Sequence, residues 1–155
     1  MRNSFLITAF LIISLLLQAC EKKDEIAGFD MEYFSECNGS QVIDSAFIAN
    51  KLIGTWKWEK FYSEKSGIKN ADKNVEVTFS PNSTFSVMEN GQLLVEGTTA
   101  LSKDSYGAYG FDVNIHCVYL YGRIYVCDNL VLFNLSYIDG GDHLFKRIQN
   151  HPKAL

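Results

Sequence analysis

The stretch VEVTFSPNSTFSVMENGQLLVEG, residues 75–97, decides how this chain folds. Val75, Val77 and Phe79 alternate with Glu76, Thr78 and Ser80. That two-residue period belongs to a strand with one flank in a core and the other in water. Ser80-Pro81-Asn82 then turns the chain, because Pro81 has no amide hydrogen to give to a central ladder. Thr84 to Glu89 resumes the extended pattern. Asn90 and Gly91 both tolerate positive φ, so a two-residue type I′ hairpin turn is expected before Gln92 to Gly97 returns. Three strands joined by two short turns make an antiparallel meander.

The same pattern runs outward in both directions. Upstream, Trp56 and Trp58 alternate with Lys57 and Glu59. Before them, Asp44 or Ser45 offers a side-chain oxygen to the free amides of Ala46 to Ile48, predicting a short helix over AFIANKLI that ends near Gly54. Such a helix would plug one end of a β-structure. Downstream, Phe111, Val113 and Ile115 alternate with Asp112, Asn114 and His116, and Ile124–Val126 and Leu130–Leu135 flank Asp128-Asn129. Asp139-Gly140 offers a second type I′ turn before His143 to Ile148. The expected fold is all-β: a small antiparallel up-and-down β-barrel of about eight strands with a short N-terminal helix, since closure removes exposed edges.

A chain of 155 residues has room for one such domain. Its net charge of -4 and the lack of a basic stripe argue against a nucleic-acid partner, which would demand the opposite sign.

The opening MRNSFLITAFLIISLLLQAC reads as an export signal: Arg2 supplies positive charge, and Phe5 to Leu17 is apolar except for Thr8 and Ser14. As a helix that run rises only about 20 Å, too short for roughly 30 Å of hydrocarbon. Leu17 is too large for an ordinary secretory cleavage site. Leu17-Gln18-Ala19-Cys20 instead resembles a bacterial lipobox, which implies acylation of Cys20 and cleavage before it. The charged run Glu21 to Glu25 reads as a solvated tether and is similar to the segment that follows the lipidated cysteine in surface lipoproteins of Bacteroidota-type bacteria. The absence of Asp directly after Cys20 fits outer-membrane retention by the same likeness. The expected organisation is a signal peptide over residues 1–19, a tether over 20–43 and the barrel over 44–150, lipid-anchored at the bacterial outer membrane on its periplasmic or surface face.

Cys37, Cys117 and Cys127 remain for an oxidising compartment, and three is odd, so at most one bridge forms and one thiol is left over. Cys117 and Cys127 lie symmetrically about Gly122, and a loop of Tyr121 to Arg123 would set them opposite each other on a hairpin. That pair is favoured; the competing pairs join Cys37 to either of them. One feature sits badly with the favoured bridge. The strand around Ile124 is apolar on both faces, so either it is covered on both sides or the bridge is elsewhere.

At KLIGTWKWEKFYS, residues 51–63, the chain resembles the first strand of lipocalin-like domains, where a Gly-x-Trp motif follows a short helix. VEVTFSPNSTFSV is similar to their paired second and third strands, and SYIDGGDHLFKRI, residues 136–148, to their final hairpin. The resemblance implies that Gly54 and Trp56 close the barrel base, with Arg147 of the last strand packed across Trp56. It also implies a monomer that holds a small apolar molecule inside its barrel. The strands here are shorter than in full-length lipocalins, and eight short strands leave room for side chains alone or one small ligand.

Candidate catalytic and metal-binding groups are few. His116 adjoins Cys117 and Asp142 adjoins His143, but strand neighbours point to opposite faces and do not converge. A zinc site from His116, His143 and a cysteine lacks any local ligand spacing. Asp139 and Asp142 with a Gly-Gly between them read as a hairpin turn rather than a calcium site, which wants six to eight oxygens. Tyr106, Tyr109, Phe111, Tyr119, Tyr121 and Tyr125 line either a pocket, a glycan-binding face or cross-strand packing. No cofactor and no enzyme activity are expected. Two functions stay open: a lipid-anchored lipocalin-like binding protein with a small apolar ligand, or an envelope interaction module whose filled barrel contacts a protein or glycan through its loops. The resemblance favours the first and the short domain the second.

Overall fold

The computed structural model describes residue 29 and residues 31–38, 43–113 and 116–149. The expected signal peptide, the lipid site Cys20, most of the tether, and Asn114 and Ile115 of the strand expected from Phe111 lie outside the described residues.

Among the described residues two helices precede nine strands: α1 (Met31–Asn38), α2 (Ser45–Leu52), β1 (Gly54–Ser63), β2 (Gly67–Asn70), β3 (Val75–Phe79), β4 (Thr84–Glu89), β5 (Gln92–Lys103), β6 (Tyr109–Val113), β7 (Arg123–Cys127), β8 (Leu130–Asn134) and β9 (Asp142–Gln149). Strands β1 and β3 to β9 form a closed antiparallel eight-stranded barrel, with each strand beside its sequence neighbour and β9 returning to pair with β1. The extra strand β2 shares an edge of β1 with β3. Lys57 and the residues before it pair with β3, and Lys60 to Ser63 pair with β2. The sequence pattern shows why this closes: every barrel strand carries an inward apolar row, and closure hides both the row and the ladder ends.

Local chemistry sets the joints. Asp44 caps α2, its carboxylate accepting from the Phe47 amide at 2.7 Å. Asn90 and Gly91 both have positive φ between β4 and β5, the backbone a type I′ turn requires. The β8–β9 connection departs from expectation. Ser136–Ile138 form a 3-10 turn ended by Asp139 in the left-handed region, so this is a longer loop and not a two-residue hairpin.

The interior is filled. Trp56, Val75, Val77, Val87, Val131, Phe133 and Phe145 are all at 0% exposure. A register slip between β1 and β9 after Trp58 reverses which residues of β1 face inward. Phe61 therefore stands opposite His143, and their rings lie 5.1 Å apart. At one end α2 stoppers the barrel with Ile48 and Leu52. At the other, the 3-10 turn Val118–Leu120 inserts Tyr119 and Leu120.

A second apolar layer lies outside. On β7, β8 and β9 the outward row of Tyr125, Leu132 and Leu144 meets Phe34 of α1, with Phe29 and Tyr33 alongside. The strand around Ile124 is thus covered on both faces, by core within and by α1 without. The disulfide joins Cys37 of α1 to Cys127 of β7, with Cα atoms 5.8 Å apart, and Cys117 is free and buried. This corrects the expected Cys117–Cys127 pair. Cys117 precedes the 3-10 turn rather than sitting on a hairpin arm, and it faces the inner core while Cys127 faces outward.

Candidate functional site

The strand ladder is weakest between β6 and β7, where among the described residues one pair, Gly110 with Arg123, bridges the strands. Beyond it β7 runs on while the chain on the β6 side leaves into the turn before Tyr109. A groove of about 280 Å³ opens there, lined by Gly107, Ala108 and Tyr109 on one side and Ile124, Tyr125 and Val126 on the other. Phe34 and Ser35 of α1 and Phe47 and Ile48 of α2 complete its walls. Its lining comes from both apolar layers: Ile48, Ile124 and Val126 belong to the inner core, and Phe34 and Tyr125 to the outer layer. On the other flank of α2 a larger, more polar cleft of about 450 Å³ is lined by Ala49, Pro81, Thr84 and Leu101 and reaches the core residues Leu52 and Phe79.

Beside the groove, the loop before β6 presents an exposed aromatic. Asp104 holds that loop by accepting from the amides of Tyr106 and Ala108, both at 2.9 Å, and from Arg123 Nε at 2.7 Å. The Arg123 guanidinium and these amides offset burial and hold the Asp104 carboxyl below its usual range. The same guanidinium carbon lies 4.0 Å from the Tyr137 ring centroid and 5.2 Å from that of Tyr106. Tyr106, Tyr137 and Ile138 are exposed. A clamped arginine therefore fixes two surface tyrosines next to an apolar recess.

At the base, Arg147 stacks over Trp56 at 4.1 Å and donates through Nη1 to the Ile53 carbonyl at 2.6 Å and through Nη2 to that of Lys51. The Trp56 indole donates to Leu52 at 2.6 Å. Trp56 and Arg147 thereby bind the end of α2, whose last carbonyls would otherwise lack partners. Gly54 is the hinge between helix and strand, with φ 127°. This is a structural closure with no reacting group.

The opposite mouth gathers the titratable residues. His143 lies among Trp58, Phe61 and Tyr119, and burial pushes its pKa down to about 4, so the ring is neutral. Tyr119 donates to Glu89 at 2.7 Å, Lys73 reaches the other Glu89 oxygen at 2.9 Å, and burial raises the phenol above its usual range. Cys117 is buried, and burial pushes its thiol up, the reverse of what a nucleophile needs. His116 is exposed and bonded to the Tyr121 hydroxyl, so it does not converge with Cys117 or His143.

The remaining metal candidates are accounted for by structure. Asp142 accepts from the amides of Leu135 and Ser136, each at 2.7 Å, and from the Asn134 side chain at 3.0 Å, while Asp139 is exposed on the far side of the turn. The pair forms a turn, with its buried carboxylate already filled by donors. Among the described residues, the His, Cys and carboxylate atoms that converge are those of Cys37, Cys127 and Asp128, and the two sulfurs there are joined to each other.

The Arg147 contact over Trp56 lies where the sequence set it, whereas the helical form of α1 and the groove were not foreseen. Phe29, Met31, Tyr33 and Phe34 read from the sequence as a tether lying against the domain, and the structure does pack Phe29, Tyr33 and Phe34 on the barrel; that the segment is helical was not legible. Comparison with protein-family models, with curated proteins and with solved structures finds no match to this chain.

Proposed function

We propose that this chain is a lipid-anchored, non-catalytic interaction module of the bacterial cell envelope. Its barrel serves as a filled scaffold, and its recognition surface lies outside, at the groove and the Tyr106–Arg123–Tyr137 loops. One observation carries the reading: the barrel axis is occupied by its own side chains, with Trp56, Phe133 and Phe145 fully buried. An internal ligand of ordinary size needs at least ~300 Å³. The partner that fits is a protein, because the groove suits one large apolar side chain, and the tyrosines and arginine beside it are the residue types that dominate protein interfaces. Lipocalin-like descent fits this reading through the strand order and the Trp56–Arg147 closure, without requiring an internal ligand.

Native mass spectrometry of the full chain released from detergent tests it. The expected spectrum shows the processed chain with its own acyl groups and nothing else bound. A stoichiometric apolar molecule that survives release would reinstate the internal-ligand reading.

A further inference from the structure

We propose that the Cys37–Cys127 disulfide is a latch that holds α1 as a removable wall of the groove, and that a dithiol reductant opens it. Three observations meet here. Helix α1 has eight residues, far below the length at which a helix holds itself together in water. Its packing on the barrel centres on Phe34, deeply buried against Tyr125, Leu132 and Leu144 with Tyr33 partly buried beside it, and the covalent bridge ties its end to β7. Phe34 and Ser35 also line the groove, so whatever displaces α1 widens that groove and bares the outer apolar row of β7 to β9.

The bridge closes a separation of 90 residues, which makes it a strong constraint on the unfolded chain. It is not needed to hold the barrel shut. Closure comes from the ladder between β1 and β9, and α1 contributes no strand to the sheet. Losing the bridge should therefore free one helix and leave the barrel standing.

The two sulfurs differ in access, and this sets the order of events. Cys37 is partly exposed while Cys127 is buried, so an incoming thiolate attacks Cys37 Sγ. A mixed disulfide forms as the Cys37–Cys127 bond breaks, and the electron pair leaves on Cys127 sulfur, which takes up a proton. The second thiol of the reductant then attacks its own mixed-disulfide sulfur and releases Cys37 as a thiol. The reductant ends as a disulfide and the protein as two thiols, a transfer of two electrons and two protons. The Asp128 carboxylate, within 4.8 Å of both sulfurs, disfavours negative charge on either and so slows the exchange.

This goes beyond the interaction-module reading, since release of α1 is measured with no partner present. Hydrogen exchange of the full chain, oxidised and after dithiothreitol, decides it. The expected result is at least a tenfold rise in exchange across residues 31–38, with β1, β3 to β5 and β9 still protected and a gain in fluorescence from an apolar dye. Cys37→Ser should give the same pattern without reductant. Phe34→Ala with the bridge intact should loosen α1 less than reduction does. Unchanged protection of α1 after reduction would show that packing alone holds it and would overturn the latch. So would loss of protection through the whole barrel, or a bridge that resists dithiothreitol until the barrel unfolds.

Discussion

The guanidinium of Arg147 lies 4.1 Å above the Trp56 ring while two of its nitrogens hold carbonyls at the end of α2. The last strand, the first strand and the stopper helix therefore meet at one pair of side chains. Trp56→Ala removes a fully buried indole and should cost about 3–5 kcal/mol in urea unfolding. Arg147→Lys keeps the charge but cannot serve both carbonyls and the ring, and should cost about 1–2 kcal/mol. A loss below 1 kcal/mol for Trp56→Ala would mean the barrel does not depend on this contact.

Thiol counting in denaturant without reductant should find one free thiol among Cys37, Cys117 and Cys127, and peptide mapping should assign it to Cys117. Recovery of a Cys117–Cys127 linked peptide would contradict the arrangement of α1.

Acid should weaken the fold through His143. The folded protein keeps this ring neutral down to about pH 4, whereas the unfolded ring protonates near 6.5. Between those values the unfolded chain binds more protons, so stability is full above about pH 6.5 and falls as the pH drops. The loss reaches roughly 3 kcal/mol by pH 4, at about 1.4 kcal/mol per unit. His143→Phe should flatten the unfolding free energy across that interval; an unchanged slope would assign it to other groups.

Gly122 sits at φ 101°, and a Cβ there would fall 2.1 Å from the Asn134 carbonyl oxygen. Gly122→Ala should destabilise the domain by roughly 3 kcal/mol or more, through backbone strain and a clash with β8. Thermal melting compared with Gly91→Ala separates the two causes, because nothing lies within 4 Å of a Cβ at Gly91.

Cys20→Ala should leave the precursor uncleaved and unlabelled by radioactive palmitate in growing cells. Continued labelling would reject the anchor, and with it the envelope location proposed above.

The barrel was readable because its information is local. Alternation from Val75 to Phe79, the Asn90-Gly91 pair and the Asp44 cap each act within a few residues, and β3, β4 and α2 form where those signals lie. What was hidden depends on distant partners. Helix α1 exists because Phe34 and Cys37 find β7 and β9 far along the chain, so nothing in its own eight residues announces a helix. The Cys117–Cys127 expectation failed for a related reason. Spacing about Gly122 measures distance along the chain, but which flank of β7 each sulfur occupies is settled by the 3-10 turn at Val118–Leu120. The clue was nonetheless present in the two-sided apolar character of β7. The groove was illegible because it arises where the pairing of β6 with β7 stops at Gly110 and Arg123, and no residue type marks where a ladder ends.

The pairing of β9 with β1 also has a consequence for time. Residues 142–149 close the cylinder against residues 55–62, so a chain emerging amino end first must wait for its final strand before the ring can form. Until then β1 carries a bare border and its two tryptophans stand unsheltered. Slow maturation and a window of stickiness are built into this connectivity, and an early stop anywhere before residue 142 leaves an open ribbon.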